Sequence, residues 1–196
     1  LATANGGVVS FAHLQMVATP GTSYKLKFTT AAITSADSDA ITVTNNVATQ
    51  IVVSRAAAGA RAGLAFTTQP KITIKDAYGN VVTTNSGSGA TITASISTGG
   101  APIGSASVAA TQGVATFADL GIAGQSATYT ITYSMTSPAA LSTSESIAVT
   151  FGDAAALSIA TQPVGGKTGD NLSTQPVVHV VDAYGNVVAN SSAVVT

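Results

Sequence analysis

From Gln50 onward the chain alternates apolar and polar residues in short runs. Within 69–76, Ile72 and Ile74 share one face, and Lys71, Thr73 and Lys75 share the other. Within 90–97, Ile92, Ala94 and Ile96 align in the same way. Successive side chains of a strand point to opposite faces, so this alternation predicts strands with one buried and one wet face. The same reading predicts strands over 50–54, 69–76, 90–97, 106–111, 114–120, 128–134 and 145–150. Turn-forming clusters separate them: Tyr78-Gly79-Asn80, Asn85-Ser86-Gly87-Ser88-Gly89, Gly99-Gly100-Ala101-Pro102, Gln112-Gly113 and the stretch 121–126. No stretch reads as a helix. Several short strands with regular turns predict an antiparallel β-sandwich.

The pattern also returns. The run Gln69-Pro70-Lys71-Ile72-Thr73-Ile74-Lys75-Asp76-Ala77-Tyr78-Gly79-Asn80-Val81-Val82 recurs from Gln175 to Val188, an offset of 175 − 69 = 106 residues. Gly7-Val8-Val9-Ser10-Phe11-Ala12-His13-Leu14 recurs from Gly113 to Leu120 at the same offset. A period the size of a small domain predicts tandem modules rather than one large fold. Residues 1–45 match the second half of a module, 46–151 form a complete one, and 152–196 match the first half of the next. Neither end falls at a module boundary, so the chain reads as a window on a longer protein. The two half modules could also pair between neighbouring chains and build a head-to-tail filament. Together they lack the counterpart of 91–106.

In residues 20–28, Tyr24, Leu26 and Phe28 share a face, opposite Lys25 and Lys27, just after a Pro-Gly-Thr turn. The matching tyrosine in the complete module is Tyr129, followed by Ile131 and Tyr133. A tyrosine opening the penultimate strand resembles the tyrosine corner of immunoglobulin-like sandwiches, whose hydroxyl bonds upstream backbone. The pattern Thr-Gln-Pro, a strand, then Asp-Ala-Tyr-Gly-Asn-Val-Val resembles the bacterial immunoglobulin-like repeats of large surface proteins, including invasin/intimin-like adhesins. The resemblance is sharpest at 69–82 and 175–188. It implies tandem immunoglobulin-like sandwiches forming a stalk, with adhesion residing in a distal module.

Composition narrows the function classes. Only 8% of residues are charged, net charge is −1 and the isoelectric point is near 6.0. A typical domain carries about a quarter charged residues. There is no basic surface for nucleic acid or for an anionic membrane. No apolar run is long enough to span a bilayer as a helix. Cysteine is absent, but a module of this size can bury enough surface without disulfides. Low charge, Thr/Ser richness and absent cysteine fit an exported bacterial protein.

Candidate chemistry is sparse. Asp76, Tyr78, Gly79 and Asn80, with Asp182, Tyr184, Gly185 and Asn186, could be read as calcium or sugar sites. Calcium takes about six to eight oxygens, and one Asp per turn falls short. The structural reading is a strand-ending turn, with Asp capping, Gly supplying positive φ and Tyr covering the sandwich end. Asp37 and Asp39 form an Asp-x-Asp pair, but only Asp39 has an acidic counterpart, Glu145. His13 and His179 align with Asp119 and Thr73, so neither is repeated, and two histidines without cysteine are too few for zinc. No Gly-x-Ser-x-Gly elbow occurs. Gly166-Lys167-Thr168 lacks the leading glycine of a phosphate loop, because position 161 is Thr161. Lys71 and Lys75 invite comparison with isopeptide cross-links, but the copy at 177 and 181 has valines. Asn171 and Asn190 head chance-level glycosylation patterns. Asn45-Asn46 marks a short, stiff joint between modules.

The expectation is therefore a non-enzymatic structural segment of a long extracellular or cell-surface protein: stalk, fibre or surface-layer material supporting adhesion. No cofactor and no metal are expected. The expected partners are neighbouring modules of the same protein, including head-to-tail copies in a filament. No nucleic acid partner and no membrane insertion of this segment are expected. A carbohydrate- or surface-binding module is the alternative, with Tyr78, Tyr184 and Phe151 as its only aromatic candidates.

Overall fold

The computed structural model describes residues 1–196 apart from Ala32, Asn85, Ser86 and Ser88, so part of the turn cluster 85–89 lies outside the described residues. The described chain is all β, with antiparallel pairing in each of its sheets. The N-terminal part holds β1 (Ser23–Tyr24), β2 (Lys27–Thr30), β3 (Ile33–Asp37) and β4 (Ile41–Thr42). Next come β5 (Gln50–Arg55), β6 (Lys71–Lys75), β7 (Thr91–Ile96), β8 (Gly100–Ile103) and β9 (Ser107–Ala109). They are followed by β10 (Val114–Thr116), β11 (Gly121–Gly124), β12 (Thr128–Met135) and β13 (Leu141–Ala148). The C-terminal hairpin is β14 (Ala154–Thr161) and β15 (Val177–Asp182).

The core lies between a three-stranded sheet, β10-β6-β5, and a four-stranded sheet, β13-β12-β7-β9. Alternation along the strands aims Ile72, Ile74, Ile92, Ala94, Ile131 and Tyr133 inward, and all are buried. The buried apolar cluster runs from Ala48 to Val149. Phe117 and Tyr133 meet inside it with ring centroids 5.6 Å apart.

Two turn predictions need correction. The clusters 99–102 and 121–126 contain strands β8 and β11, paired from Gly121↔Ile103 to Gly124↔Gly100. They carry mostly Gly and Ala, so no large apolar side chain alternates to reveal them. Gly121 is required there, because a Cβ would collide with the Leu64 carbonyl. Strand β13 starts at Leu141, four residues before the predicted 145. Its inward positions Thr143 and Glu145 are polar, which hid the alternation.

Local geometry recurs with the sequence. The pairing Ile51↔Ile74 in β5–β6 matches Leu157↔Val180 in β14–β15. The irregularity at Val53/Arg55 matches the one at Ile159/Thr161. The two-residue turn between Thr111 and Val114 matches the one between Asn5 and Val8. Both turns place two residues at positive φ: Gln112 (47°) and Gly113 (77°), and Gly6 (58°) and Gly7 (82°). Such turns match strand twist but demand left-handed residues. Phe11 and Phe28 pair at 5.3 Å, as Phe117 and Tyr133 do. The offset between the tyrosines Tyr24 and Tyr129 is 105, so the turn before Tyr24 is one residue longer. Its hydroxyl lies 3.4 Å from the Thr19 carbonyl, five residues back, whereas Tyr129 donates to Gln125, four residues back, at 2.9 Å.

Exposure recurs at the Asp76 and Asp182 turns but not along most of the strands. Phe117 is 1% exposed and Phe11 47%; Leu120 is 0% and Leu14 57%. Ile51 is 4% exposed and its counterpart Leu157 56%. The same residue types are core in one copy and surface in the others.

Candidate functional site

The second copy of the Asp-Ala-Tyr-Gly-Asn turn packs against the residues that lead into β14 and against the region before β12. Asp182 ends β15 and is 3% exposed. Its Oδ1 accepts the backbone N–H groups of Tyr184 and Asn186, each at 2.9 Å. Its Oδ2 accepts the Asn186 amide at 2.8 Å and the Gly152 N–H at 2.7 Å. Gly185, at φ 81°, makes the reversal possible, and its N–H returns to the Asp182 carbonyl. One carboxylate thus closes its own turn and holds the connection that leads into β14.

The turn also rests on the preceding residues. The Ser126 N–H donates to Asn186 Oδ1 at 2.6 Å. Tyr184 packs against the core cluster, its ring over Gly63. A Cβ at Gly63 would lie 2.6 Å from Tyr184 Cε2, so a glycine is needed beneath the ring. Arg61 bonds the Gly152 carbonyl at 3.1 Å and Asp153 at 2.8 Å, and the Ala62 N–H donates to Thr150. Gly152 approaches the Ala62 carbonyl so closely that a Cβ would collide with it.

The earlier copy closes in the same way. Asp76, 1% exposed, accepts Tyr78 N–H and Asn80 N–H at 2.9 Å, the Asn80 amide at 3.1 Å and Asn46 N–H at 3.2 Å. Gly79 takes φ 84°. Asn46 is the counterpart of Gly152. Here, however, Tyr78 is 60% exposed. It borders a cleft of about 380 Å³, lined by residues from Gln15–Ala18 and Val43–Asn46 and by Asp76, Tyr78 and Asn80. Tyr24 and Tyr129 lie outside this turn, at the end of β1 in the N-terminal part and at the start of β12 respectively.

Electrostatics suits a clamp. Burial alone would raise the pKa of Asp182; hydrogen bonds from Gly152, Asn186 and Tyr184 outweigh it and hold the carboxyl below its usual range. For Asp76, burial is likewise outweighed by hydrogen bonds from Asn80, Asn46 and Tyr78. Both carboxylates stay ionised at neutral pH, with their acceptor capacity spent on amides.

The remaining candidates are scattered. His13 is exposed on a bend at φ 62°, and His179 pairs with Ser158 across β14–β15. Asp37 ends β3, and Asp39 follows it on the surface. Among the described residues no three His, Asp or Glu side chains gather. Lys167 lies in an exposed turn closed by the Asp170 N–H. Asn171 and Asn190 are exposed. Glu145 faces Tyr133, which donates to it at 2.7 Å, and accepts the Ala57 N–H. Burial first, then the hydrogen bond and charge of Glu145, push the Tyr133 hydroxyl well above its ordinary pKa.

Sequence reading did not place Gly63, Ser126 and Gly152 against the Asp182 turn, nor the Gly124 carbonyl, which accepts the Asn186 amide at 3.4 Å. A signal existed in Gly63 itself, which returns as Gly169 at the 106-residue offset, both at positive φ. Compared with known proteins, the chain matches no family model and no curated protein.

Proposed function

We propose that the chain is a structural segment of a long, repetitive extracellular or cell-surface protein. Tandem immunoglobulin-like modules of 106 residues (46–151 complete, 1–45 and 152–196 partial) are joined end to end by the Asp-Ala-Tyr-Gly-Asn turn. The observation that carries this reading is the double hold at Asp182: it binds the connecting Gly152, while Asn186 and Tyr184 rest on Ser126 and Gly63. A joint fixed on both sides transmits orientation and force, which is what a stalk, fibre or surface layer requires. Its service to adhesion rests on the resemblance to bacterial surface repeats, and its exported location on low charge and absent cysteine. The reading assigns no catalytic step. A carbohydrate platform is less well supported, because of its candidates Tyr184 is seated against the core and Phe151 is half-buried, which leaves Tyr78 as the exposed one.

The test is orientational. Residual dipolar couplings of the dilute chain should fit 46–151 and 154–188 to one alignment tensor. Asn186→Ala combined with Tyr184→Ser should split the tensor in two. Independent alignment in the unsubstituted chain would overturn the proposal.

A further inference from the structure

Residues 56–63 form a strap between the two larger sheets. The chain leaves the three-stranded sheet at Arg55, the end of β5. By Arg61 it runs parallel to Thr150, just past β13 of the four-stranded sheet. The strap reads Ala-Ala-Ala-Gly-Ala-Arg-Ala-Gly and carries no large apolar side chain. Its anchors in the core are the methyls of Ala60 and Ala62, with Ala57 partly buried. A methyl gains little on burial, so hydrogen bonds decide whether the strap stays docked.

The decisive bond comes where the strap crosses between the sheets. Ala57 N–H donates to both carboxylate oxygens of Glu145, at 3.2 Å each. The buried Tyr133 hydroxyl, from β12, donates to Glu145 Oε1 at 2.7 Å. Glu145 is half-buried in β13. Among the described residues no cation pairs with it, so its charge meets the Tyr133 hydroxyl and the strap N–H. The far end of the strap carries the joint: Gly63 lies beneath Tyr184, and Arg61 holds Gly152 and Asp153.

We infer that Glu145 is a latch for this strap: oriented by Tyr133, it fixes the crossing at Ala57 and thereby stiffens the joint from inside the module. The meaning of the joint rests on the modular reading above; the latch does not. Beyond Ala57 the strap is tied by Ala58 and Thr68, which bond each other at 3.1 Å both ways. Ala62 N–H donates to Thr150 at 2.9 Å and Gly63 N–H to Ile122 at 2.8 Å. The strap is therefore one element with a docked and a released arrangement. Glu145 favours the docked one, and Tyr184 finds its seat only there. Two sites that bias one two-state element are coupled, and the coupling is reciprocal.

Hydrogen exchange at Ala58, Ala62 and Gly63 tests the latch. Glu145→Ala should speed it about ten- to a hundredfold, as loss of a hydrogen bond to a charged acceptor implies. Glu145→Gln keeps an acceptor oxygen and should speed it less. Tyr133 acts through the carboxylate, so Tyr133→Phe added to Glu145→Ala should change strap exchange no further. Ile92→Val lowers global stability and should leave the strap unchanged, because the strap opens locally. Slow amides at Ile72 and Ile74 report that each variant remains folded. By reciprocity Tyr184→Ala should speed exchange at Gly63 and Ala58. Glu145→Ala should also speed exchange at Gly152 and spoil the single alignment tensor. Unchanged strap exchange in Glu145→Ala, equal acceleration by Ile92→Val, or a further acceleration by Tyr133→Phe in the double variant would overturn the latch. A faster strap with Gly152 still protected and one tensor kept would overturn its hold on the joint. Two tensors in the unsubstituted chain would remove the joint and its stiffening together, while exchange at Ala58 still decides the latch.

Discussion

The carboxylate of Asp182 accepts four hydrogen bonds from three residues, two of them within its own turn and one across the joint. Removing it strands buried donors as well as losing the bonds, and hydrogen bonds to a charged group are worth about 1.5–3 kcal/mol. Asp182→Ala should therefore loosen the joint by about that much while leaving the core of 46–151 intact. Faster amide exchange at Gly152 and Ser126, with unchanged exchange in β12, would report it. The pH dependence has a fixed sign. A pKa depressed in the folded state gives stability that is present above the unfolded value and lost as pH falls through the folded one. The joint should hold at neutral pH and open only below about pH 4, the ordinary carboxyl range. Tyr133 works in the opposite direction. Its raised pKa gives stability that is full below about pH 10, its unfolded value, and lost as pH rises further. Tyr133→Phe should flatten that alkaline loss, followed by thermal melting between neutral and alkaline pH. At neutral pH it should cost about 1.5–3 kcal/mol, because the bond is to a charged carboxylate. The N-terminal copy carries the pair already changed, with Phe28 for Tyr133 and Asp39 for Glu145.

At the scale of elements, the hairpin around Gln112 shows how identical geometry is met by unequal residues. The turn at Gly6-Gly7 uses two glycines, whereas Gln112 holds φ 47° with a side chain attached. A non-glycine residue in the left-handed region costs about 1–2 kcal/mol, with Asn the best tolerated. Gln112→Asn should raise the melting temperature by a few degrees, about 0.5–1 kcal/mol of relief. The long alternating strands were legible in the sequence because Ile72, Ile74, Ile92 and Ile131 are large and regularly spaced. Strands β8 and β11 were not, because Gly and Ala give backbone pairing no side-chain signature. The joint was half legible. The Asp-Ala-Tyr-Gly-Asn turn announced itself by repetition, but its floor at Gly63 and Ser126 is chosen by close approach in space, which no local pattern encodes. Nothing in the spacing of residues revealed that Glu145 would turn inward to meet Tyr133.

Across the whole molecule, one repeat unit occurs in two environments. Phe117 lies in the closed core between the two larger sheets, and Phe117→Ala should cost about 3–5 kcal/mol, as large core truncations do. Phe11 lies in a similar run, flanked by Ser10 and Ala12 where Phe117 has Thr116 and Ala118, and has a similar ring partner, yet is 47% exposed. Phe11→Ala should change the stability of the dilute chain by less than about 0.5 kcal/mol, the scale of surface substitutions. Hydrogen exchange separates the contexts without mutation. Amides of β5, β6 and β12 should open only with global unfolding, while those of β2 and β3 exchange through local opening, because few buried apolar contacts hold them.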